Sequence, residues 1–199
     1  MSNRIQGYTP VKYTDFTVIN LGDRTISSTT GWSQYGRAVY MYGPAKSLAW
    51  DLCCLVKTAP TPPYTVDVHL ANYGSWLNAQ CYGACWRNSS DGYIATFQVL
   101  TSTAPYDVYL RNSVFSSPTA VLANYVSTQY VTANPQWYRL EDDGVNRKTY
   151  TSTDGVNWKL FYSVGRTDRM TPNQIGFFIA PYSQISCIEV DHFKINYSG

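Results

Sequence analysis

The chain has 199 residues, of which 44% are hydrophobic and 14% are charged. It can therefore bury a core, and it is too apolar to be disordered. Its net charge of +2 comes from dispersed Lys and Arg residues, which argues against nucleic acid as a partner. No run of about 18 apolar residues occurs, so the sequence has no candidate membrane-spanning helix. The 18 Tyr and 6 Trp favour pleated sheets over helices, and we predict an all-β fold.

The first twelve residues are polar and carry little pattern. We interpret residues 1–12 as an edge strand or as an arm that docks on a partner through Arg4, Ile5, Tyr8 and Val11. This segment lacks the apolar core of a signal peptide, so we expect synthesis in a cytosol. Residues 13–199 are predicted to form a single domain.

The first half of the chain alternates predicted strands with loops. Strands are expected over 13–20, 37–42 and 47–56, and a loop region rich in Gly, Ser and Thr over 22–36. The prolines between Thr58 and Tyr64 cannot donate ladder hydrogen bonds, which predicts an extended crossover between two sheets. In the strand at 64–72, alternation predicts that Val66, Val68 and Leu70 point inward and that Thr65, Asp67 and His69 point outward. His69 is therefore interpreted as a solvated strand residue.

Three Asp-Gly pairs predict hairpin turns: Asp91-Gly92, Asp143-Gly144 and Asp154-Gly155. Gly adopts a positive φ without strain and Asp tolerates it, so this pair between alternating β-formers is a strong hairpin signal. Further strands are expected over 77–87, 93–100, 107–113 and 121–126, followed by the two hairpins within 136–163.

The C-terminal region contains two more predicted strands. Residues 175–180 are almost continuously apolar, which is typical of a central strand buried on both faces. Between 186 and 197 the inward positions change parity, so we expect a bulge near Asp191-His192. About thirteen strands without helices predict a two-sheet antiparallel jelly-roll sandwich.

The five cysteines lie at positions 53, 54, 81, 85 and 187. Adjacent strand residues point to opposite faces, so Cys53 and Cys54 should not bond to each other. Cys81, Cys85 and His69 could be imagined as a zinc site, but a paired second half of the motif is missing. We favour buried, reduced thiols with a packing role.

The motifs of the second half follow a characteristic order: Trp137-Tyr138-Arg139-Leu140, Asp143-Gly144, Tyr150-x-Ser152-x-Asp154-Gly155-x-x-Trp158, Ile175-Gly176-Phe177-Phe178 and Asp191-His192-Phe193-Lys194-Ile195. This order resembles the concanavalin A-like jelly roll, particularly the non-catalytic modules appended to glycosidases and the modules found in bacteriophage tail and head proteins. The proline segment at 57–64 also resembles those phage modules. The resemblance is strongest over 136–197, weaker over 46–126 and absent over 1–36. It implies a fold that hosts lectins, glucanases, adhesion modules and capsid parts alike.

Retaining glucanases of that superfamily carry Glu-x-Asp-x-x-Glu, and retention requires two carboxyls about 5–5.5 Å apart. Here Glu189-Val190-Asp191 begins such a motif, but Phe193, Lys194 and Ile195 occupy the region of the second Glu. Without an acid/base the double displacement cannot proceed, so we predict no enzymatic activity and no catalytic residue.

Two Asp/Asn clusters raise the question of calcium: Asp142, Asp143 and Asn146 form one, and Asp154 and Asn157 form the other. A calcium ion takes six or more oxygen ligands, and neither cluster supplies them unaided. Asp and Asn also form turns by bonding to their own backbone. We favour the turn interpretation and predict no metal and no cofactor.

Aromatic residues in loop-rich regions provide the remaining functional signal. The predicted contact residues for glycan or protein are Trp32, Tyr35, Tyr40, Tyr42, Tyr73, Trp76 and Tyr82. Aromatic rings stack on sugars but are equally enriched in protein interfaces. Most of Trp50, Trp86, Trp137 and Trp158 lie within predicted strands and are expected in the core.

These observations predict a non-enzymatic virion structural protein of a bacteriophage, specifically a capsid decoration (cement) protein. The alternative is a carbohydrate-binding adhesion module of a tail fibre or spike, and a stand-alone glycosidase ranks third. The expected partners are capsid or tail proteins of the same particle, further copies of the chain, and a cell-surface polysaccharide. The expected location is the virion, assembled in the host cytoplasm.

Overall fold

The computed structural model describes residues 15–20, 31–35, 38–43, 51–73, 80–101, 108–129, 135–181 and 186–197. Within these ranges every regular element of appreciable length is a β-strand, and the all-β prediction is confirmed. The described part contains no helix long and apolar enough to cross a membrane. The predicted arm at 1–12 lies outside these ranges.

In chain order the strands are β1 (Thr17–Asn20), β2 (Gly31–Tyr35), β3 (Ala38–Gly43), β4 (Cys53–Thr58), β5 (Tyr64–Asn72), β6 (Cys81–Arg87), β7 (Ile94–Thr101), β8 (Val108–Ser117), β9 (Ala120–Gln129), β10 (Trp137–Asp142), β11 (Asn146–Ser152), β12 (Lys159–Gly165), β13 (Gln174–Ala180) and β14 (Ser186–Tyr197). They form two seven-stranded antiparallel sheets. The first has the order β1-β4-β13-β6-β7-β8-β9, and the second has the order β12-β11-β10-β5-β14-β3-β2. The proline segment between β4 and β5 carries the chain from the first sheet to the second, as predicted.

The main core fills the space between the two sheets. Val66, Val68 and Leu70 point into it from β5, which confirms the predicted alternation. Tyr138 enters from β10 and Phe177 from β13, and both side chains are fully buried. Burial of an aromatic or large aliphatic side chain contributes about 1.5–3 kcal/mol, so this layer provides most of the driving force for sheet packing.

The first sheet is also buried on its far side. A second apolar cluster there includes Cys54, Cys85, Phe115 and Phe178. Strand β13 therefore contributes to both clusters, which confirms the prediction that it is buried on both faces. Gly176 lies at its centre, where a Cβ would fall 1.9 Å from the carbonyl oxygen of Leu55.

The predicted hairpins are present. Strands β10 and β11 form a hairpin whose first pair next to the turn is Asp142 and Arg147. Gly144 in that turn has φ +90°. The turns between β6 and β7 and between β11 and β12 contain Gly92 and Gly155, which also have positive φ. Each of these Asp-Gly pairs thus supplies the conformation that its turn requires.

The predicted bulge in β14 is confirmed, because the register against β5 shifts between Val190 and His192. Part of the loop predicted at 22–36 is instead β2, which pairs with β3. Gly- and Ser-containing segments give a weak strand signal, and here backbone pairing to a neighbouring strand determines the conformation.

Four of the five cysteines occupy the two faces of the first sheet, and Cys187 lies on β14 of the second. Cys53 lies in the main core and Cys54 in the second apolar cluster, as the alternation of strand residues requires. Cys81 and Cys85 lie on β6 of the first sheet, whereas His69 lies on β5 of the second, so these residues do not converge on a zinc site. All five thiols are free, and only Cys187 is not fully buried.

Candidate functional site

The second sheet presents a surface of aromatic and charged side chains on the side away from the core. Directly opposed residues in antiparallel strands project from the same face. Trp137 is opposite His69, and His69 is opposite His192, so the three rings share this surface. We call it the outer face. Its described members are Tyr40, Tyr42, Asp67, His69, Tyr73, Trp137, Arg139, Glu141, Lys148, Tyr150, Trp158, Glu189, Asp191, His192 and Lys194.

At the centre of the outer face, Trp137 lies between two imidazole rings. The ring centroids are 4.8 Å apart for His69 and 5.0 Å apart for His192. His69 Nδ1 is 2.6 Å from Asp191 Oδ1, which fixes the first imidazole. His192 is buried, and burial lowers its pKa below the ordinary value, which favours a neutral ring. The indole therefore has a fixed orientation, and His69 is not the solvated residue that was predicted.

Two residues, Asp67 and Trp158, hold Arg139 in place. Its Nε is 2.5 Å from Asp67 Oδ1 and its Nη2 is 2.9 Å from Asp67 Oδ2, a two-point ion pair. The guanidinium lies 4.1 Å from the centroid of the Trp158 ring. A planar guanidinium favours both contacts, which a lysine could not reproduce. Trp158 is thereby held over the outer face by β10.

A second polar group surrounds Glu141 on the neighbouring strands. Its carboxylate accepts from Lys148 Nζ at 2.9 Å and from the Tyr150 hydroxyl at 2.8 Å. Lys148 also bonds to Asp143 at 2.7 Å. Burial and the Glu141 carboxylate raise the pKa of Tyr150, so its hydroxyl stays protonated and keeps its hydrogen bond to Glu141.

Three of the predicted aromatic residues meet at the opposite end of the outer face. Tyr40 and Tyr42 lie on β3, Tyr73 follows β5, and Glu189 on β14 lies between them. The hydrogen bond to Glu189 raises the pKa of Tyr73 to about 12. Burial, followed by the Glu189 carboxylate, raises the pKa of Tyr40. Tyr73 remains 64% exposed and Tyr42 37% exposed, so both rings are accessible to a ligand.

The other predicted contact residues have different outcomes. Tyr82 is fully buried, so its prediction as a contact residue is wrong. Its side chain on β6 points into the main core. Trp32 and Tyr35 lie on β2, next to β3. Trp76 and the arm residues Arg4, Ile5, Tyr8 and Val11 lie outside the described residues.

The prediction for the strand tryptophans is correct for Trp86, which lies in the core, and wrong for Trp137 and Trp158. Trp50 lies outside the described residues. Strand alternation carried the missing signal for one of them: Tyr138 and Leu140 are fully buried, so Trp137 and Arg139 must face outward. Trp158 lies directly before β12, and only its stacking on Arg139 reveals its place on the outer face.

The Glu189–Asp191 motif has no free carboxylate pair. Glu189 bonds to two tyrosines and Asp191 bonds to His69. Lys194, which occupies the place of the second Glu, is exposed and opposite Asp67. These residues hold neighbouring rings in place.

The Asp/Asn clusters are used for turns. Asp143 Oδ1 accepts from the backbone nitrogens of Val145 and Asn146, and Asp154 Oδ1 accepts from those of Val156 and Asn157. Hydrogen bonds from Lys148 and from the turn backbone lower the pKa of Asp143. No group of three or more metal-ligating side chains occurs among the described residues.

No protein-family model matches the chain, and no curated protein matches it in sequence. Solved structures do match in fold. A functionally unknown protein from Saccharomyces cerevisiae has a TM-score of 0.68 at 11% identity, over 95% of this chain and 100% of that one. The GH43 BlXynB protein from Bacillus licheniformis has a TM-score of 0.61 at 15% identity, over 86% of this chain but 35% of its own.

The CBM2 module of the evolved Dit of Lactobacillus casei BL23 phage J-1 has a TM-score of 0.57 at 10% identity, over 93% of both chains. A legume lectin-like domain from Entamoeba histolytica and a GH16 protein of Bacteroides ovatus also match. The fold is the concanavalin A-like jelly-roll sandwich, as predicted. The matching structures include both carbohydrate-binding modules and glycoside hydrolases.

Proposed function

We propose that the protein is a non-catalytic carbohydrate-binding module and that its outer face binds an oligosaccharide. The observation that carries this proposal is the band of exposed and half-buried rings that lies on one side of one sheet, from Tyr42 through Trp137 to Trp158. The band crosses β3, β14, β5, β10 and β11. At the usual spacing between strands the band is roughly 20 Å long. This length suits a chain of sugar rings better than a single ring.

The chemistry of the band fits a sugar. Aromatic rings provide flat apolar surfaces for the C–H faces of pyranoses, and their polar ends add hydrogen bonds. The interspersed Glu189, Asp67 and Arg139 provide acceptors and donors for hydroxyl groups. Sites for small ligands typically combine an apolar surface with a few well-placed polar groups.

The rings are also held in position before any ligand binds. Asp191 fixes His69, and Asp67 fixes Arg139 beneath Trp158. Ordering a free side chain on binding costs about 0.5–1.5 kcal/mol, and a fixed platform avoids that cost. Glu189 is engaged by Tyr40 and Tyr73, and Asp191 is engaged by His69, which supports binding without hydrolysis.

We infer a bacteriophage particle as the setting of this module. The resemblance to phage structural modules supports this, as does the fold shared with the CBM2 module of a phage Dit. A tail-borne adhesion role follows most directly from a sugar-binding outer face. A capsid decoration role remains the competing proposal, and in it residues 1–12 attach the protein to the shell.

The experiment for sugar binding is a screen of the purified protein on immobilised bacterial polysaccharides, followed by affinity measurements with Trp137→Ala and Trp158→Ala. Each aromatic anchor should contribute about 1–3 kcal/mol, a loss of roughly 5- to 150-fold in affinity. Tyr197→Ala is the matched control, because that ring is 72% exposed but lies at the end of β14, away from the band. Wild-type affinity in both tryptophan variants would refute the outer-face site.

The experiment for the setting is deletion of residues 1–12, followed by co-sedimentation with particles and a thermal melt. A decoration protein should lose incorporation while the melt is unchanged. An adhesion module should retain its sugar binding as an isolated domain. Undiminished incorporation of the truncated protein would refute the docking arm.

A further inference from the structure

A small cavity lies between the two sheets, near the edge formed by β8 and β9 in the first sheet and β11 and β12 in the second. Its volume is about 20 Å³, enough for one or two water-sized groups. Its polar and aromatic lining includes Trp86, Asn112, Tyr125, Arg147, Thr149 and Tyr162. The half-buried rings of Tyr125 and Tyr162 stack with centroids 5.6 Å apart, and they lie on the strands nearest to this edge.

Arg147 brings a positive charge to this cavity. The residue is only 2% exposed. Its Nη2 donates to the backbone carbonyl of Asp168 at 2.7 Å, and its guanidinium lies 5.8 Å from the centroid of the Trp86 ring. Its Nε is buried and has no hydrogen-bond partner among the described residues. An arginine stays protonated even when burial lowers its pKa, so this is a buried cation with an unused donor.

The nearby carboxylates are engaged elsewhere. Asp142 is fully buried, and both of its oxygens accept from Arg166 Nε, at 3.0 and 2.9 Å. The carboxylate of Asp168 accepts the hydroxyl of Tyr125. Arg147 therefore contacts the Asp168 carbonyl and the Tyr125 hydroxyl, and the nearest negative charge, the Asp168 carboxylate, lies beyond that hydroxyl. A buried charge without a close counter-charge is costly, by several kcal/mol.

Thr149 supplies a second donor. Its Oγ1 accepts from Asn112 Nδ2 at 2.9 Å, which leaves its own O–H to donate. Two donors that line one cavity, one of them cationic, select an acceptor with negative charge. The size of the cavity restricts that acceptor to a monatomic or very small ion.

We propose that this cavity is a binding site for a small monovalent anion, either a halide or a carboxylate the size of formate. The anion accepts from Arg147 Nε and from the Thr149 hydroxyl. It neutralises the buried guanidinium beside the Asn112–Thr149 hydrogen bond, which joins β8 of the first sheet to β11 of the second. Lys148, the next residue on β11, points to the outer face, so the anion site and the proposed sugar site lie on opposite sides of the same strand and are independent.

The direct experiment is crystallography of the intact protein soaked in sodium bromide, with anomalous diffraction to locate the ion. A bromide peak within hydrogen-bond distance of Arg147 Nε is the expected result. Density that refines as water in the cavity, with bromide found only on the surface, would overturn the proposal.

The solution experiment is chlorine-35 NMR, in which exchange of chloride with a protein site broadens the free-ion signal. Arg147→Met should weaken chloride binding by about 10- to 100-fold, the loss expected for a charge-assisted hydrogen bond. Lys159→Met is the control for loss of a positive charge, because Lys159 is exposed on β12. Ala95→Val tests the site without touching Arg147, because Ala95 lines the cavity and two added methyl groups should fill it.

Competition identifies the source of the anion. Displacement of chloride by sodium formate supports a site that accepts a carboxylate, and failure of formate to compete restricts it to halides. Equal broadening in the wild type, Arg147→Met and Ala95→Val would show adventitious surface binding only and would overturn the proposal. If Arg147→Met does not fold, the decision rests on Ala95→Val and on the bromide map.

Discussion

Replacing Gly176 with alanine tests the close packing at the centre of the first sheet. Gly176 lies on β13 between Val56 of β4 and Cys85 of β6. A Cβ there would lie 1.9 Å from the carbonyl oxygen of Leu55 and 2.9 Å from the Cα of Val56. Both atoms belong to the backbone of the adjacent strand, so no side-chain rotation can relieve the overlap and β4 or β13 must shift.

The magnitude follows from the cost of overpacking, which is typically 1–3 kcal/mol. The obstructing atoms are backbone atoms in a strand that is buried on both faces, so we expect the upper end, about 3 kcal/mol. For a chain of this size that corresponds to a fall in melting temperature of roughly 6–12 °C.

The assay is a pair of thermal and urea denaturation curves for Gly176→Ala, with Gly165→Ala as the matched control. Gly165 is in a strand and has nothing within 4 Å of the added Cβ, so its replacement should be neutral or slightly stabilising. A melting temperature of Gly176→Ala equal to that of the wild type would refute the inferred close approach of β4 and β13.

Three further predictions concern ionisation and thiols. Lys148 lowers the pKa of Asp143 in the folded state. The stability that this carboxylate contributes is therefore complete above its ordinary pKa of 3.8 and is lost as the pH falls towards the folded-state pKa. The difference in unfolding free energy between wild type and Asp143→Asn should shrink between about pH 6 and about pH 2. Glu189→Gln should lower the pKa of Tyr73 from about 12 towards its ordinary value, measured as a spectrophotometric phenol titration against Tyr73→Phe; an unchanged titration would contradict the hydrogen bond. Dithiothreitol should leave the denaturation midpoint unchanged, because a structural disulfide would contribute roughly 2–4 kcal/mol, and a large drop would reveal a bridge.

Local sequence determined the strands and turns of this protein. The Asp-Gly pairs impose positive φ at Gly92, Gly144 and Gly155, and alternation assigned the inward residues of β5. The parity change in 186–197 located the bulge in β14 before any pairing partner was known. These features depend on backbone sterics and on period-two patterning, which are readable within a few residues.

Only the tertiary structure decided which residues form the candidate site. Tyr40 and Tyr73 are far apart in the chain, and the pairing of β3 and β5 with β14 brings both to Glu189. Trp137 was expected in the core because it lies in a strand. Alternation with Tyr138 and Leu140 turns it outward, and only the register with β5 places it beside His69. The register between strands that are distant in sequence is determined by burial of the opposite, apolar face of the sheet. The sequence therefore determined where the strands lie, and the packing of the two sheets determined which side chains face the solvent together.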